Sequence, residues 1–460
     1  MKKKKEIKIL SPCGILGYGY PKESFMNGMR MEPDAIVVDA GSTDAGPHKL
    51  GAGVAIVSRQ ACKKDLEPMI VEGMKRNIPL IIGSAGGSGA HVHVVWTVEI
   101  IREILKEQHM NAKVAVIWGD IDKNLIKEKM IAGKVRPLGN LVKELTVQSL
   151  TETTGVVAQM GHEPVVEALK MGAEIIICGR AYDPSPFAAV ADYYGLPLEY
   201  GYHAGKILEC AALCAVPGTT KDCMLGTIRG DGFLITPLSE QRKCTKLSVA
   251  AHTFYEKEHP YLLHGPGLLL DLRDCEFRQW DEHSVFVTGS RLSRQYPYAV
   301  KLEGARKVAY RSIVIAGVRD PIMIARIEEI EAAAKEQVMA YYSDLEPEQY
   351  QINFINYGIN GVMGKLETSH VRPHEIGLVM EVIAQTQEIA DMVCASLRST
   401  LLHYGYEGRK STAGNLAFPF APSDISYGPV YEFSVYHLME IEDPLSLFPV
   451  ELISLEEDLY

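Results

Sequence analysis

Between Val37 and His48 the chain reads Val-Val-Asp-Ala-Gly-Ser-Thr-Asp-Ala-Gly-Pro-His. Two carboxylates (Asp39, Asp44), two hydroxyls (Ser42, Thr43) and one imidazole (His48) fall close together there. A carboxylate in such a loop can abstract a proton next to a substrate carboxylate, with the hydroxyls binding the substrate. Asp39, Asp44 and His48 also offer hard oxygens plus one imidazole, a set that suits a divalent ion such as Mg²⁺ or Mn²⁺. The plainer reading is an Asx-rich turn. Pro47 rules out an uninterrupted helix.

A second stretch, Gly83-Ser84-Ala85-Gly86-Gly87-Ser88-Gly89-Ala90-His91, precedes a helical pattern over Val92–Gln108. Free N–H groups at a helix start favour anions, so Ser84, Gly86 and Gly87 are candidates to hold a substrate carboxylate or phosphate. The lysine of a phosphate-binding P-loop is missing. A third stretch is Gly179-Arg180-Ala181-Tyr182-Asp183-Pro184. Arg180 is a natural fork for a carboxylate and Asp183 a second candidate base, although the two would equally make a structural ion pair. Other signals are weaker. Gly14, Gly17 and Gly19 lack dinucleotide-fingerprint spacing but leave a glycine-rich loop able to hold an anion. Cys210 and Cys214 have no nearby histidine for a zinc site. His252 and Tyr255 are either an acid–base couple or one half-buried helix face.

The elements that must position these groups recur in a rhythm. Apolar runs at Ile7–Leu10, Ala35–Asp39, Pro79–Ile82, Val114–Asp120, Val156–His162 and Glu174–Cys178 read as strands, mostly followed by a polar loop and a helix. This alternation predicts an α/β fold with a mostly parallel sheet, the polar ends near Asp39, Ser84, Asp120, His162 and Arg180 lying along one edge. The rhythm fades after Leu208. The expected organisation is an α/β domain over 1–225 carrying the site and an α+β domain over 226–460 with a Pro- and aromatic-rich tail.

The chain has 460 residues, 47% hydrophobic and 23% charged, which is ordinary for a globular protein. A net charge of −11 without a basic stripe argues against nucleic-acid binding. No stretch is long and apolar enough for a membrane span and no secretory signal is present. Nine scattered cysteines read as reduced thiols, so a cytoplasmic location is expected.

Asp39–Pro47, Gly83–Gly87, Gly179-Arg180 with Asp183-Pro184, Cys244–Glu256 and Gly414-Asn415 to Ser423-Asp424 together resemble the acyclic terpene utilisation (AtuA-type) family. The resemblance implies catabolism of branched carboxylic acids and adds Asn415 as a substrate-binding candidate. It also implies a separate small partner subunit of about a hundred residues, below the usual domain size. The expected function is a lyase, a hydratase, dehydratase or ammonia-lyase, acting on a small branched carboxylic acid or its thioester. Isomerisation of the same acids, or a non-catalytic subunit binding a carboxylate or acyl thioester, remains the alternative. Exposed-looking segments such as Phe418-Pro419-Phe420 point to a homo-oligomer.

Overall fold

A computed structural model describes residues 3–255, 259–369, 372–410 and 412–453. The chain forms two compact units, one of residues 1–306 with 433–460 and one of residues 307–432.

The first unit is built on a ten-stranded sheet. Its centre is five parallel strands in the order Glu6–Ser11, Ala35–Asp39, Leu80–Gly83, Ile175–Cys178, Val114–Ile117. Alternation along a strand sends successive side chains to opposite faces. Accordingly Ala35 and Val37 join one core with Ile9, Ile81 and Ile176, whereas Ile36 and Val38 join another with Leu10, Ile82 and Val116. Helices cover both faces, so every residue of Ala35–Asp39 is buried. The helix His91–Glu107 buries Val94, Val98, Ile101, Ile104 and Leu105, a stripe at helical spacing.

Two expectations need correction. The break near residue 225 falls inside this sheet. Met224–Arg229 and Gly232–Pro237 form an antiparallel hairpin, and the first of them pairs with Glu6–Ser11 along its whole length. The rhythm fades there because the sheet changes from parallel strands to antiparallel ones, which need no crossover helix. The strand-like run before His162 is also not a member of the parallel sheet. Gly155–Ala158 pairs antiparallel with Leu302–Ala305.

In the second unit, Tyr350–Tyr357 and Ile376–Ala384 pair antiparallel, and Ile376–Ala384 pairs in turn with Tyr310–Val318. The helices Ile327–Tyr341 and Gln387–His403 pack on this sheet through Ile330, Val338, Val393 and Leu397. The short helix Pro321–Ala325 is separated from Ile327–Tyr341 at Arg326, whose φ of −121° leaves the helical region. Among the described residues no helix is long and apolar enough to cross a membrane.

Candidate functional site

The parallel strands bring their C-terminal loops together at one edge of the first unit, as expected for Asp39, Ser84 and Arg180. Asp39 lies beside Gly83 in register, and the Ala40 N–H donates to the Gly83 carbonyl at 2.8 Å. The glycines serve close approach between these loops. A Cβ on Gly41 would lie 2.2 Å from the Gly87 Cα, and one on Gly89 2.1 Å from the Arg180 nitrogen.

Arg180 is 1% exposed. Its Nε donates to Glu303 Oε2 at 2.8 Å, and its Nη1 to Asp183 Oδ1 at 2.8 Å, to Ser84 Oγ at 3.0 Å and to the Ala181 carbonyl at 2.9 Å. The guanidinium is therefore held by carboxylates of its own chain, and the structural ion pair is the reading that fits. Arg180 fixes the loops instead of presenting a free fork to substrate. Glu303 is a hub: its Oε1 accepts from Thr43 Oγ1 at 2.9 Å, Lys301 Nζ at 2.8 Å and Gln159 Nε2 at 3.4 Å. Burial pushes the Glu303 carboxyl up, but Arg180 and Lys301 outweigh it and bring the pKa down to about 2. Thr43 thus supports the site from below, while Ser42 accepts a hydrogen bond from the Asp44 N–H at 3.1 Å.

Asp39 has the opposite environment. It is buried, and burial first, then the carboxylates of Asp183 and Glu209, push its pKa well up, against a smaller pull from Arg180 and the Gly41 N–H. Lys206 donates to Glu209 Oε1 at 2.5 Å, and its ammonium lies 5.7 Å from the centre of the Tyr255 ring. The Cys210 sulfur approaches the Tyr255 hydroxyl at 3.5 Å, and burial raises this thiol to about 12. His252 and Tyr255 stack at 4.8 Å. Glu256 lies outside the described residues. Asp39 at its strand end thus feels the carboxylates of Asp183 and Glu209, and Lys206 pairs with the second of these.

Other expectations are corrected. Asp44 lies exposed on the loop and His48 exposed at the start of the helix His48–Ala52, while Asp39 is buried, and among the described residues no group of three or more His, Cys, Asp or Glu side chains could hold a metal ion. Asp39, Asp44 and His48 therefore do not form a cation site. The reason is the turn from Thr43 to Gly46, closed by the Gly46 N–H to Thr43 carbonyl bond at 2.9 Å, which carries the chain away from Asp39. The loop at Ser84 uses its groups internally: the Gly87 N–H donates to the Ser84 carbonyl, the Gly86 carbonyl accepts from Ile56, and Ser84 Oγ holds Arg180 and the Ala181 N–H. The glycine-rich loop at Gly14–Gly19 does hold an anion, but it is Asp65, which accepts from the Gly17 and Gly19 N–H groups at 2.8 and 2.9 Å. Asn415 belongs to the second unit and caps a helix, its amide donating to the Leu401 and Tyr404 carbonyls at 2.9 and 2.8 Å. The Leu401 carbonyl lies in the last turn of the helix Gln387–His403, where it also accepts from the Tyr404 N–H, and Tyr404 follows the helix.

Lys206, Glu209, Lys301 and Glu303 were missed from sequence. Lys206 and Glu209 sit three apart among Ala204, Ile207 and Leu208, all buried. Lys301 and Glu303 sit two apart between buried Val300, Leu302 and Ala305, on one face of a strand. Charges placed in apolar runs were the available signal.

No curated protein and no solved structure matches the chain. A family model described as acyclic terpene utilisation family protein AtuA matches residues 58–420, which include Arg180, Asp183, Lys206, Glu209, Lys301 and Glu303. The loop at Asp39 lies before the matched residues. With a match over most of its length, the chain belongs to the acyclic terpene utilisation family.

Proposed function

We propose that this protein is a lyase acting on a small branched carboxylic acid or its thioester, adding or removing water or ammonia across a double bond next to the carboxylate. The observation that carries the reading is the buried Asp39 carboxyl, held toward its protonated form by burial, Asp183 and Glu209. A carboxyl tuned upward can give a proton to a departing hydroxyl and take one back in the reverse direction. The Asp183 carboxylate near Asp39 takes the proton from the neighbouring carbon. The electron pair left there forms the double bond as the hydroxyl departs with the Asp39 proton as water, and Lys206 supplies positive charge for the enolate-like electrons. Arg180 holds Asp183 and Ser84 in place. Isomerisation would use the same Asp39 proton, returned to a different carbon.

The working form proposed here is a homo-oligomer joined by a small partner subunit. Phe418 packs on the second unit's core, whereas Phe420 and Tyr427 are exposed, and exposed aromatics on one segment favour a covering surface. The test offers the purified chain, alone and with the small neighbour, a panel of branched hydroxy- and amino-dicarboxylates and follows ultraviolet absorbance of a conjugated acid. Appearance of the unsaturated acid supports the lyase. Silence in both samples, with ligand-induced stabilisation intact, replaces it with a binding subunit. Light scattering on both samples reads the assembly, and a monomeric mass with full activity from this chain alone removes the partner.

A further inference from the structure

The sheet of the second unit runs in the order Tyr350–Tyr357, Ile376–Ala384, Tyr310–Val318, with Asp424–Ile441 beside the last of these. The helices Ile327–Tyr341 and Gln387–His403 lie on one face, over Val314, Ala316, Leu378 and Met380. Alternation sends the residues between these to the other face. There Ile315, Val379 and Ile355 stand opposite one another in register, a row of β-branched side chains across three strands. Ile313 and Ile383 lie in the next rows along. All five are half-buried, and none joins a described core of the chain. Asp424 and Ser426 bond to Arg398 and Asp391 on the helix Gln387–His403, so Tyr427 points the other way. Tyr427 is 58% exposed, with the Arg311 guanidinium 5.4 Å from its ring centre. A solvated face of an antiparallel sheet is normally polar. This one has the composition of a covered face.

Its polar groups are matched among themselves. Within the paired ranges the charged side chains on it are Arg311 and Glu381, an ion pair at 2.7 Å. Asn353 Nδ2 donates to Glu381 Oε2 at 2.9 Å, and Gln351 Nε2 to Asn353 Oδ1 at 2.8 Å. A nucleic acid, a charged membrane surface or a highly charged peptide has no net charge to grip there. A second copy of the chain fits better. Each copy carries a net charge of −11, so two copies repel in general and meet most readily on a neutral, apolar face. A two-fold contact is reciprocal, which lets Arg311 pair with the partner's Glu381 and Glu381 with the partner's Arg311. Four strands of about eight residues, spaced about 4.8 Å apart, present roughly 500 Å². Two such faces bury about 1,000 Å², the floor for a specific interface.

We propose that this sheet face is the contact between two copies of the chain, packed face to face about a two-fold axis with Ile315, Val379 and Ile355 at its centre. The proposal names the surface of the homo-oligomer proposed above and rests on that reading. Stacked sheets of this kind sit about 10 Å apart with their side chains interdigitated.

Light scattering on the full chain tests it, with circular dichroism to show that each variant is folded. Wild type should have the mass of a dimer or of a larger even oligomer. Ile315→Lys buries a charge at the centre of the contact and should weaken association by about 100-fold or more. Arg311→Glu and Glu381→Arg, both at half-buried positions, give a second route. Each alone sets like charges against each other across the two-fold axis and should dissociate to a similar degree. Mixed in equal amounts they should associate again, because one copy then carries two acids and the other two bases, a recovery that damage to the fold would not produce. A folded Ile315→Lys variant with the wild-type mass overturns the face and leaves the homo-oligomer standing, and so does a mixture of the charge variants that stays dissociated. A wild-type chain that is monomeric alone, or associates only with the small neighbour, overturns both.

Discussion

Glu303 and Asp39 are both buried carboxyls of the first unit, and Arg180 acts on both, yet their environments drive them to opposite states. Glu303 is enclosed by Arg180, Lys301, Thr43 and Gln159, all donors, and is held ionised at a pKa of about 2. Asp39 receives one long hydrogen bond from the Gly41 N–H at 3.3 Å and faces Asp183 and Glu209, so burial and like charge drive it toward its neutral form. Depth alone does not decide a proton's place. The balance of donors and neighbouring charges does. One carboxyl is a structural anchor, and the other is the group to which the proposed lyase reading gives the proton transfer.

The comparison breaks most sharply at Glu303. Glu303→Gln leaves Arg180 and Lys301 buried without their shared counter-charge, and removing one partner of a buried ion pair costs about 3–5 kcal/mol. Chemical denaturation of the variant should show a loss of that order. In wild type the contribution of Glu303 is fully present above the ordinary glutamate pKa and is lost as pH falls through about 2. A variant as stable as wild type would return Glu303 to an ordinary core residue.

Asp39→Asn should act the other way. It keeps the shape and removes the titrating group, so turnover of any panel acid should fall by about 100-fold or more. Because the folded-state pKa is raised, Asp39 weakens the fold as pH rises above the ordinary aspartate range. The asparagine variant should therefore melt at or above the wild-type temperature at pH 8. Lower stability together with full activity would contradict both halves of the comparison.

The second unit offers a third buried carboxyl to sharpen it. Glu331 on the helix Ile327–Tyr341 is raised to about 7, chiefly by burial, against the opposing pull of the Asn356 amide, which donates to it at 3.2 Å. Its raised pKa means that stability falls as pH climbs from the ordinary glutamate range through about 7. Melting curves from pH 5 to pH 8 should show that fall in wild type and a flatter profile in Glu331→Gln. An unchanged slope would remove Glu331 as its source.

The smallest effect is expected at Asp44. It is exposed on the same loop as Asp39, and its backbone N–H bonds to Ser42. Asn can replace it in such a turn, so steady-state rates for Asp44→Asn should stay within about twofold of wild type, far inside the loss expected at Asp39. A loss as large as that of Asp39→Asn would move the acid–base role outward along the loop.

Local pattern was enough for the framework. The run Ala35–Asp39 is short, apolar and β-branched, and such runs bury on both faces of a parallel sheet. The stripe on His91–Glu107 repeats at helical spacing, so Val98, Ile101, Ile104 and Leu105 were legible as its buried face, whereas the buried His93, Val94, Thr97 and Ile100 were not. The convergence of the loops at Asp39, Ser84 and Arg180 was legible for the same reason, because parallel strands share one carboxyl edge. The change to antiparallel pairing after residue 224 was not, since Met224–Arg229 is buried nearly throughout, as the parallel strands are, and burial does not mark pairing direction.

What the tertiary structure decided is where charge is matched. Thr43 and Glu303 lie 260 positions apart, and Arg180 and Glu303 lie 123 apart. No local spacing encodes those contacts. The sequence by itself marked Arg180 as a group able to grip a carboxylate, and only the fold showed that the carboxylates are its own. It likewise placed Asp39 and Asp44 on one loop with equal claims to the chemistry. The turn at Thr43–Gly46 separated them, leaving one carboxyl in water and the other under Asp183 and Glu209. Periodicity fixes which side chains turn inward because it is a property of neighbouring residues. A proton's affinity depends on every charge and donor within a few ångströms, and the folded chain alone assembles those.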